Sequence, residues 1–529
     1  MTDQFPALIL MAPLFGALIT GLAGVGDHRR CFPIVVTAIS ISLCAAIAML
    51  VQVVSHGPID YFVGGWDTTR VPLGVSIQLR VDALNGLVLV VISTVALLTA
   101  IFSLRRVGEE NTEKTPQFYM LFLLLCMGLL GMTITADAFN LFVLVEVSSL
   151  TSYALVAMGS KPRGTVAAFN YIIMGTIGAS FYLLGVGYLY MNTGTLNMAA
   201  IHEIIADPSV PNTSTVYVAF ILILVGVWIK MAFFPLYGWL PNAYSYCPST
   251  SSCLLAPLMT KVSVYVMIRV MLSVFGAEWV FQSLAWSHTV VWLAVIAILA
   301  GSVLALAQVE LKKMLCYLIV AEVGYMVGGA WLANHWGMVG TIYHIISDAF
   351  MTLCLFIAAN IFVKHCKAER IDQLEGLFKK MPLTTAGFTV AALAMIGVPP
   401  TCGFFSKWYL VRGGIEAGQW GYVVALLISS LVNAVLFFRI FEIAYFGKNP
   451  AEAHGHDDDH HHHEETQPSS VGDSTLLSGE PRKATLIPLL ITAAIIILLG
   501  VFNGQVVEII QQALEGLPVV GTPPVAVVP

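Results

Sequence analysis

The sequence predicts an all-α polytopic membrane protein of about fourteen transmembrane helices. Three observations carry this prediction. The 529 residues are 58% hydrophobic and only 11% charged, where soluble domains carry about 25% charged residues. Apolar runs of spanning length recur from end to end. Lys and Arg gather in alternate connections between those runs, as orientation in a bilayer requires.

The runs fall near 7–25, 33–55, 82–104, 117–135, 138–158, 165–190, 216–238, 250–273, 289–308, 313–332, 337–363, 384–411, 420–446 and 485–505. The first lacks a basic lead-in, so it reads as a retained helix rather than a cleaved signal. Residues 1–116 hold the first three spans. Within them, 58–81 (Gly, Trp and alternating apolar residues) reads as a β-hairpin on the membrane surface. Residues 117–275 and 289–446 then form two units of five spans each, helices 4–8 and 9–13. Residues 447–483 are a polar His/Asp-rich insert that should be disordered. Residues 484–529 hold the last helix and a C-terminal tail. Arg29, Arg30, Arg105, Arg106, Lys312, Lys313, Lys379 and Lys380 follow odd-numbered spans, whereas the opposite loops hold only Arg70, Arg80 and Arg412. Both termini are therefore expected outside and the 447–483 loop in the cytoplasm.

The seventh span, VYVAFILILVGVWIKMAFFPLYGWLPNAYSY, organises the chain. Lys230 stands in its middle, followed by Pro235. A Lys at the bilayer centre costs ~2.5–3.5 kcal/mol on insertion scales. Pro235 removes a helical donor and breaks the helix. Broken backbone at that depth is tolerated only inside protein or beside a watery cavity. Lys230 lies too deep in the run to snorkel easily to the interface, so the pattern points to ion handling. The twelfth span is broken too, with Pro399 and Pro400 before Lys407. The two spans are five apart and antiparallel, and Lys and Pro exchange order between them. That pattern is expected of two inverted five-helix repeats, whose interrupted segments mark a transport site.

Further charges lie within spans: Glu146 in the fifth, Lys261 in the eighth, Glu322 in the tenth, and His344 and Asp348 one turn apart in the eleventh. Arg269 and Arg439 lie near helix ends, where long side chains snorkel. Placing Glu146, Lys230, Lys261 and Lys407 in a bilayer costs roughly 10 kcal/mol if the terms add, which a purely structural protein has no reason to bear. Burial lowers the pKa of a lysine and a nearby carboxylate raises it, so lysines alternating between such settings can pass protons. Glu322 and His344 read equally well as hydrogen-bonded core residues.

Other chemistries are excluded by what is missing. The nine cysteines are scattered with no CxxC spacing, which gives neither an iron–sulfur nor a disulfide framework. No nucleotide fingerprint occurs, so no cofactor is expected and nucleic acid is not a partner. No metal site is assigned. The His/Asp tract at 454–464 reads as a solvated linker, with weak divalent-metal binding as the alternative.

The segments ADAFNLFVLVEVSSLTSYALVA, WIKMAFFPLYGWLPNAY, LMTKVSVYVMIRV, ELKKMLCYLIVAEVGYM and GVPPTCGFFSKWYL resemble motifs of the antiporter-like subunits. That family is shared by Mrp-type multisubunit cation/proton antiporters, respiratory complex I and membrane-bound hydrogenases. GGWDTTRVPLGVSIQLRVDAL and GFFSKWYL are most similar to the Mrp-type D subunit. The resemblance implies a bacterial-type inner membrane, partner membrane subunits, and transport of protons with Na+ or K+. It implies that Glu146 pairs with Lys230, that Lys261 is the central relay lysine, and that Lys407 ends the second half-channel. Glu322 stands where relatives often have His or Gln, and Asp348 and Thr352 where some have His and Lys. The route between Lys261 and Lys407 is thus expected to use His344, Asp348 and Glu322, or water. The preferred reading is a proton-translocating subunit of an Mrp-type antiporter, with no catalysis of its own. The alternatives are a proton-pumping subunit of a quinone oxidoreductase or hydrogenase, and a proton-flow subunit coupled to a soluble catalytic partner.

Overall fold

A computed structural model describes residues 4–65, 77–111, 114–159, 162–207, 214–283, 286–366, 368–446 and 480–515. Helices α1 (Phe5–Gly26) and α2 (Cys31–His56) lead into strands β1 (Ile59–Phe62) and β2 (Gln78–Val81), then α3 (Ala83–Asn111). Next come α4 (Thr115–Ile134), α5 (Ala138–Ala157), α6 (Pro162–Thr193), short α7 (Met198–Ala206), α8 (Ser214–Met231), α9 (Leu240–Tyr246) and α10 (Ser249–Arg269). The second half holds α11 (Ser287–Leu306), α12 (Leu311–Trp331), α13 (His335–Cys366), α14 (Leu377–Lys380), α15 (Pro382–Ile396), α16 (Cys402–Glu416) and α17 (Trp420–Phe446). Helices α18 (Lys483–Val501) and α19 (Asn503–Glu515) close the described chain.

Among the described residues, thirteen helices are long and apolar enough to cross a membrane. The remaining predicted span is the broken twelfth, divided into α15 and α16. The fold is therefore a polytopic all-α membrane protein. β1 and β2 pair antiparallel with Asp60 opposite Arg80, which form an ion pair of 3.7 Å. The predicted hairpin is thus present where it is described; residues 66–76 lie outside the described residues. So does most of the 447–483 insert. Its last residues are placed, and Glu480 accepts hydrogen bonds from Thr384 Oγ1 at 2.7 Å and from the Leu383 amide at 2.5 Å. That carboxylate caps free donors at the N-terminus of α15, where a negative charge also suits the helix dipole.

The C-terminal tail holds more structure than its sequence reading allowed. Val507, Ile510, Ala513 and Leu514 recur at helical spacing and are buried on one side of α19, which packs on α3 and α13. Helices α10, α12 and α13 form the centre and are buried almost all round, whereas α1, α6 and α18 keep broad apolar faces exposed. A helix apolar all round suits either environment, so position in the bundle cannot be read from composition.

Both helix breaks keep their backbone groups satisfied, as membrane depth demands. After α8 the chain turns through Ala232 (φ 59°). There the Phe233 amide bonds Trp228 O, and Trp239 Nε1 donates to Ile229 O at 3.0 Å. After α15, Gly397 (φ 94°) takes the left-handed cap that glycine permits. The two halves of that broken span cross closely: a Cβ on Gly403 would lie 1.8 Å from Ala394 O.

Candidate functional site

Each predicted lysine is buried and held by partners on other helices. Lys230, only 8% exposed, does not snorkel. Its Nζ donates to Ser149 Oγ at 2.6 Å and Tyr153 Oη at 3.3 Å on α5. Glu146 Oε1 lies 3.5 Å away, so the expected pair forms. Its carboxylate is the less enclosed partner, with 26% of the side chain exposed. Tyr153 is kept in place from behind by α6, since a Cβ on Gly175 would lie 1.7 Å from Tyr153 Oη. Gly175→Ala should therefore push the phenol off Lys230. Overpacking of this kind costs ~1–3 kcal/mol, so we expect a melting temperature lower by a few degrees and reduced proton flux, both measured on the assembled complex.

Beside Lys230 lies a cavity of about 20 Å³ lined also by Tyr182, Val145, and Ser263 and Val266 of α10. It has room for one water, which needs ~10–15 Å³. On the neighbouring turn of α10, Lys261 Nζ is 2.9 Å from Asp348 Oδ2 on α13. Both side chains are enclosed. Thr352 Oγ1 accepts from Lys261 at 3.3 Å and donates to Asp348 Oδ1 at 2.7 Å.

Glu322 of α12 and His344 of α13 bring ligand-type atoms within 4.8 Å of those of Asp348. Neither Glu322 oxygen receives a hydrogen bond among the described residues, and His344 Nε2 is also without a partner. Two carboxylates facing each other need a shared proton or a cation between them. Lys261 already supplies such a positive charge at Asp348. Glu322 has both Lys261 and Lys407 as charged neighbours, so it lies electrostatically between the two halves. His344 Nδ1 meets Ser406 Oγ at 3.0 Å, one residue before Lys407. Lys407 Nζ donates to Met395 O at 2.7 Å, Ile396 O at 3.3 Å and Ser430 Oγ at 3.0 Å. It thus sits on the open C-terminal carbonyls of α15, where a cation also suits the helix dipole. Its Nζ lies 5.4 Å from the centre of the Tyr325 ring.

The arrangement is a line of buried ionisable groups from Glu146 to Lys407 with polar neighbours throughout. Ser149, Tyr153, Tyr325, Ser406 and Ser430 were not singled out from sequence, because hydroxyl residues inside apolar helices are common and carry no periodic signal. Pro235, Pro399 and Pro400 stand at the breaks, as expected. Lys230 lies on the half-helix before its break and Lys407 on the half after. Arg269 is also not a snorkelling residue: its guanidinium is paired with Asp82 inside the protein.

A family described as NADH:quinone oxidoreductase/Mrp antiporter, transmembrane, matches residues 135–433. The chain belongs to this family. Within it, the chain is similar to the N-type subunit of an NADH-quinone oxidoreductase from Desulforudis audaxviator, 38% identical over 97% of this chain and 99% of that protein. It is also similar to the D-type subunit of a Na(+)/H(+) antiporter from Bacillus subtilis, 29% identical over 84% of this chain and 88% of its relative. Among solved structures, a chain of the membrane-bound sulfane sulfur reductase, an archaeal respiratory membrane complex, superposes with a TM-score of 0.83 at 28% identity, covering 96% of this chain and 97% of that one. The Mrp complex from Dietzia sp. DQ12-45-1b gives a TM-score of 0.84 at 24% identity over 98% and 97%, a likeness of fold. Both of these relatives are named as subunits, and both solved structures are of complexes.

Proposed function

We propose that the chain is the proton-translocating subunit of a multisubunit monovalent cation/proton antiporter, D-like in type. The observation that carries proton translocation is the line Glu146–Lys230, Lys261–Asp348, Glu322, His344 and Lys407, with acids and hydroxyls beside the lysines and a water-sized cavity beside Lys230. Each group can take up or release a proton, and adjacent lysines make successive release favourable by repulsion. We read the line as spanning two five-helix units, 117–275 and 289–446. The basic loops of 29–30, 105–106, 312–313 and 379–380 orient that face to the cytoplasm.

The antiporter reading is supported by the D-like segments around 64–84 and 403–410 and by the D-type antiporter relatives. A second reading, a proton-pumping subunit of a redox-driven complex, is favoured by the 38% identity to an N-type oxidoreductase subunit over nearly the full length. The site chemistry is common to both, and the partner subunits decide the driving force. Cation-dependent proton flux in vesicles containing the full complex separates them: an antiporter responds to a Na+ or K+ gradient, a redox pump only to its electron donor. In the same vesicles Lys407→Ala should abolish flux and leave insertion intact, because removing a buried charge eases insertion. Flux at the parent level would remove Lys407 from the mechanism.

A further inference from the structure

Both ends of α10 open to polar cavities, and the cavity nearer to Lys261 is not the one on the basic face. On that face a cavity of about 220 Å³ is lined by Lys114, Ser249, Glu310 and Lys312. Ser249 starts α10, roughly three turns before Lys261, or ~18 Å at 1.5 Å per residue. On the hairpin face a larger cavity of about 480 Å³ is lined by Gln78, Asp82, Asn85, His202, Tyr265 and Arg269, among others. It has room for several waters at ~10–15 Å³ each. Arg269 lies two turns beyond Lys261, ~12 Å along the axis, and Tyr265 only one turn. Lys261, Tyr265 and Arg269 thus occupy one face of α10 at i, i+4 and i+8.

The floor of this cavity is closed by hydrogen bonds. Tyr265 Oη donates to Thr133 O at 2.8 Å and accepts from Arg269 Nε at 2.7 Å. Arg269 Nη2 pairs with Asp82, and Nη1 donates to Ser273 Oγ at 3.4 Å. Asp82 is itself fixed by the Asn85 amide at 3.0 Å. Burial opposes the Asp82 charge, but Arg269 and the Asn85 amide outweigh it and hold the carboxyl below its ordinary range. The pair therefore stays charged near neutral pH. Immediately after Arg269, residues Val270–Phe275 wind as π-helix, a geometry common where helices shift at functional sites. The Lys261 amine now points the other way, toward Ala256 O at 3.3 Å and Asp348. A lysine stem is long enough to swing between the two settings.

We propose that the hairpin-face cavity is a proton port for Lys261, stoppered by Tyr265, Arg269 and Asp82. This rests on the proton-translocation reading above. Released from Asp348, the ammonium swings toward Tyr265. One of its N–H bonds breaks, the proton bonds to a water of the cavity, and neutral amine and hydronium result. The hydronium leaves through the cavity mouth. While the stopper is closed, the Arg269 charge is a barrier to cations, protons included.

The test uses the full complex in vesicles. Asp82→Asn with Arg269→Gln removes the charged stopper without leaving a lone buried charge. We expect passive proton leak to rise roughly tenfold or more once the electrostatic barrier is gone, and adding Lys261→Ala to abolish that leak. Leak at the parent level in assembled complex, or leak that persists without Lys261, overturns the port. Should the double variant fail to assemble, Ser273→Cys provides a separate test. A membrane-impermeant thiol reagent at the mouth should cut coupled flux roughly tenfold, with the parent complex treated alike as control. Full labelling with unchanged flux overturns the proposal. Lys261→Ala alone distinguishes the two levels. Retained coupled flux defeats the translocation reading, whereas lost flux with parent-like behaviour of the port variants defeats only the port.

Discussion

Asp348→Asn is expected to stop proton transport and to destabilise the assembled complex by ~3–5 kcal/mol, the cost of leaving one member of a buried ion pair alone. The geometry makes this the most severe single change. Asp348 is fully enclosed, and its Oδ2 is 2.9 Å from Lys261 Nζ. Thr352 remains beside Lys261 after the substitution, but a hydroxyl does not balance a charge in a dry site. Lysine can respond by shedding its proton, which limits the stability loss and removes it from the relay. A second substitution, Lys261→Met, should then recover much of the stability, because no buried charge is left alone. It should recover none of the transport. Thermal stability of the purified complex and proton flux in vesicles, measured for both singles and the double, give the two readouts. Parent-like flux in Asp348→Asn would remove the Lys261–Asp348 pair from the mechanism.

Glu146→Gln and Lys230→Ala should each abolish transport as well, with a smaller effect on stability. Glu146 is partly exposed at 26%, so losing Lys230 leaves a less isolated charge. Lys230 also keeps Ser149 at 2.6 Å and Tyr153 at 3.3 Å. We hypothesise that the pair is a gate. With the carboxylate close, the ammonium form is favoured; when the break between α8 and α9 lets the two separate, desolvation favours release of the proton toward α10. The 20 Å³ cavity that Lys230 shares with Ser263 and Val266 lies on that route. Because the pair acts as one unit, the double variant should transport little less than either single. Two partial defects that multiply, at matched expression, would show instead that the residues act separately.

The three buried lysines were legible in the sequence because each is a charge placed against the strong apolar bias of a span. The helix breaks were legible because proline cannot continue a helix. What joins these residues was not legible. Asp348 reaches Lys261 across 87 positions of sequence and Arg269 reaches Asp82 across 187, and such pairings are set by tertiary packing alone. Arg269 consequently read as a helix-end residue free to snorkel, when its partner lies in the turn before α3. The hydroxyls of Ser149 and Ser406 gave no signal, because serine and threonine occur in membrane helices for many reasons. The spacing of Val507, Ile510 and Leu514 did mark α19, but in a stretch otherwise read as tail.

The central claim is that this chain itself moves protons through its buried lysines, and Lys261 links the first half to Asp348 of the second. The most direct measurement is proton flux in vesicles containing the full complex, with Lys261→Ala compared to the parent at equal assembly under the complex's own driving force. The account predicts measurable flux in the parent and none in the variant. Undiminished flux through fully assembled Lys261→Ala complex would contradict it.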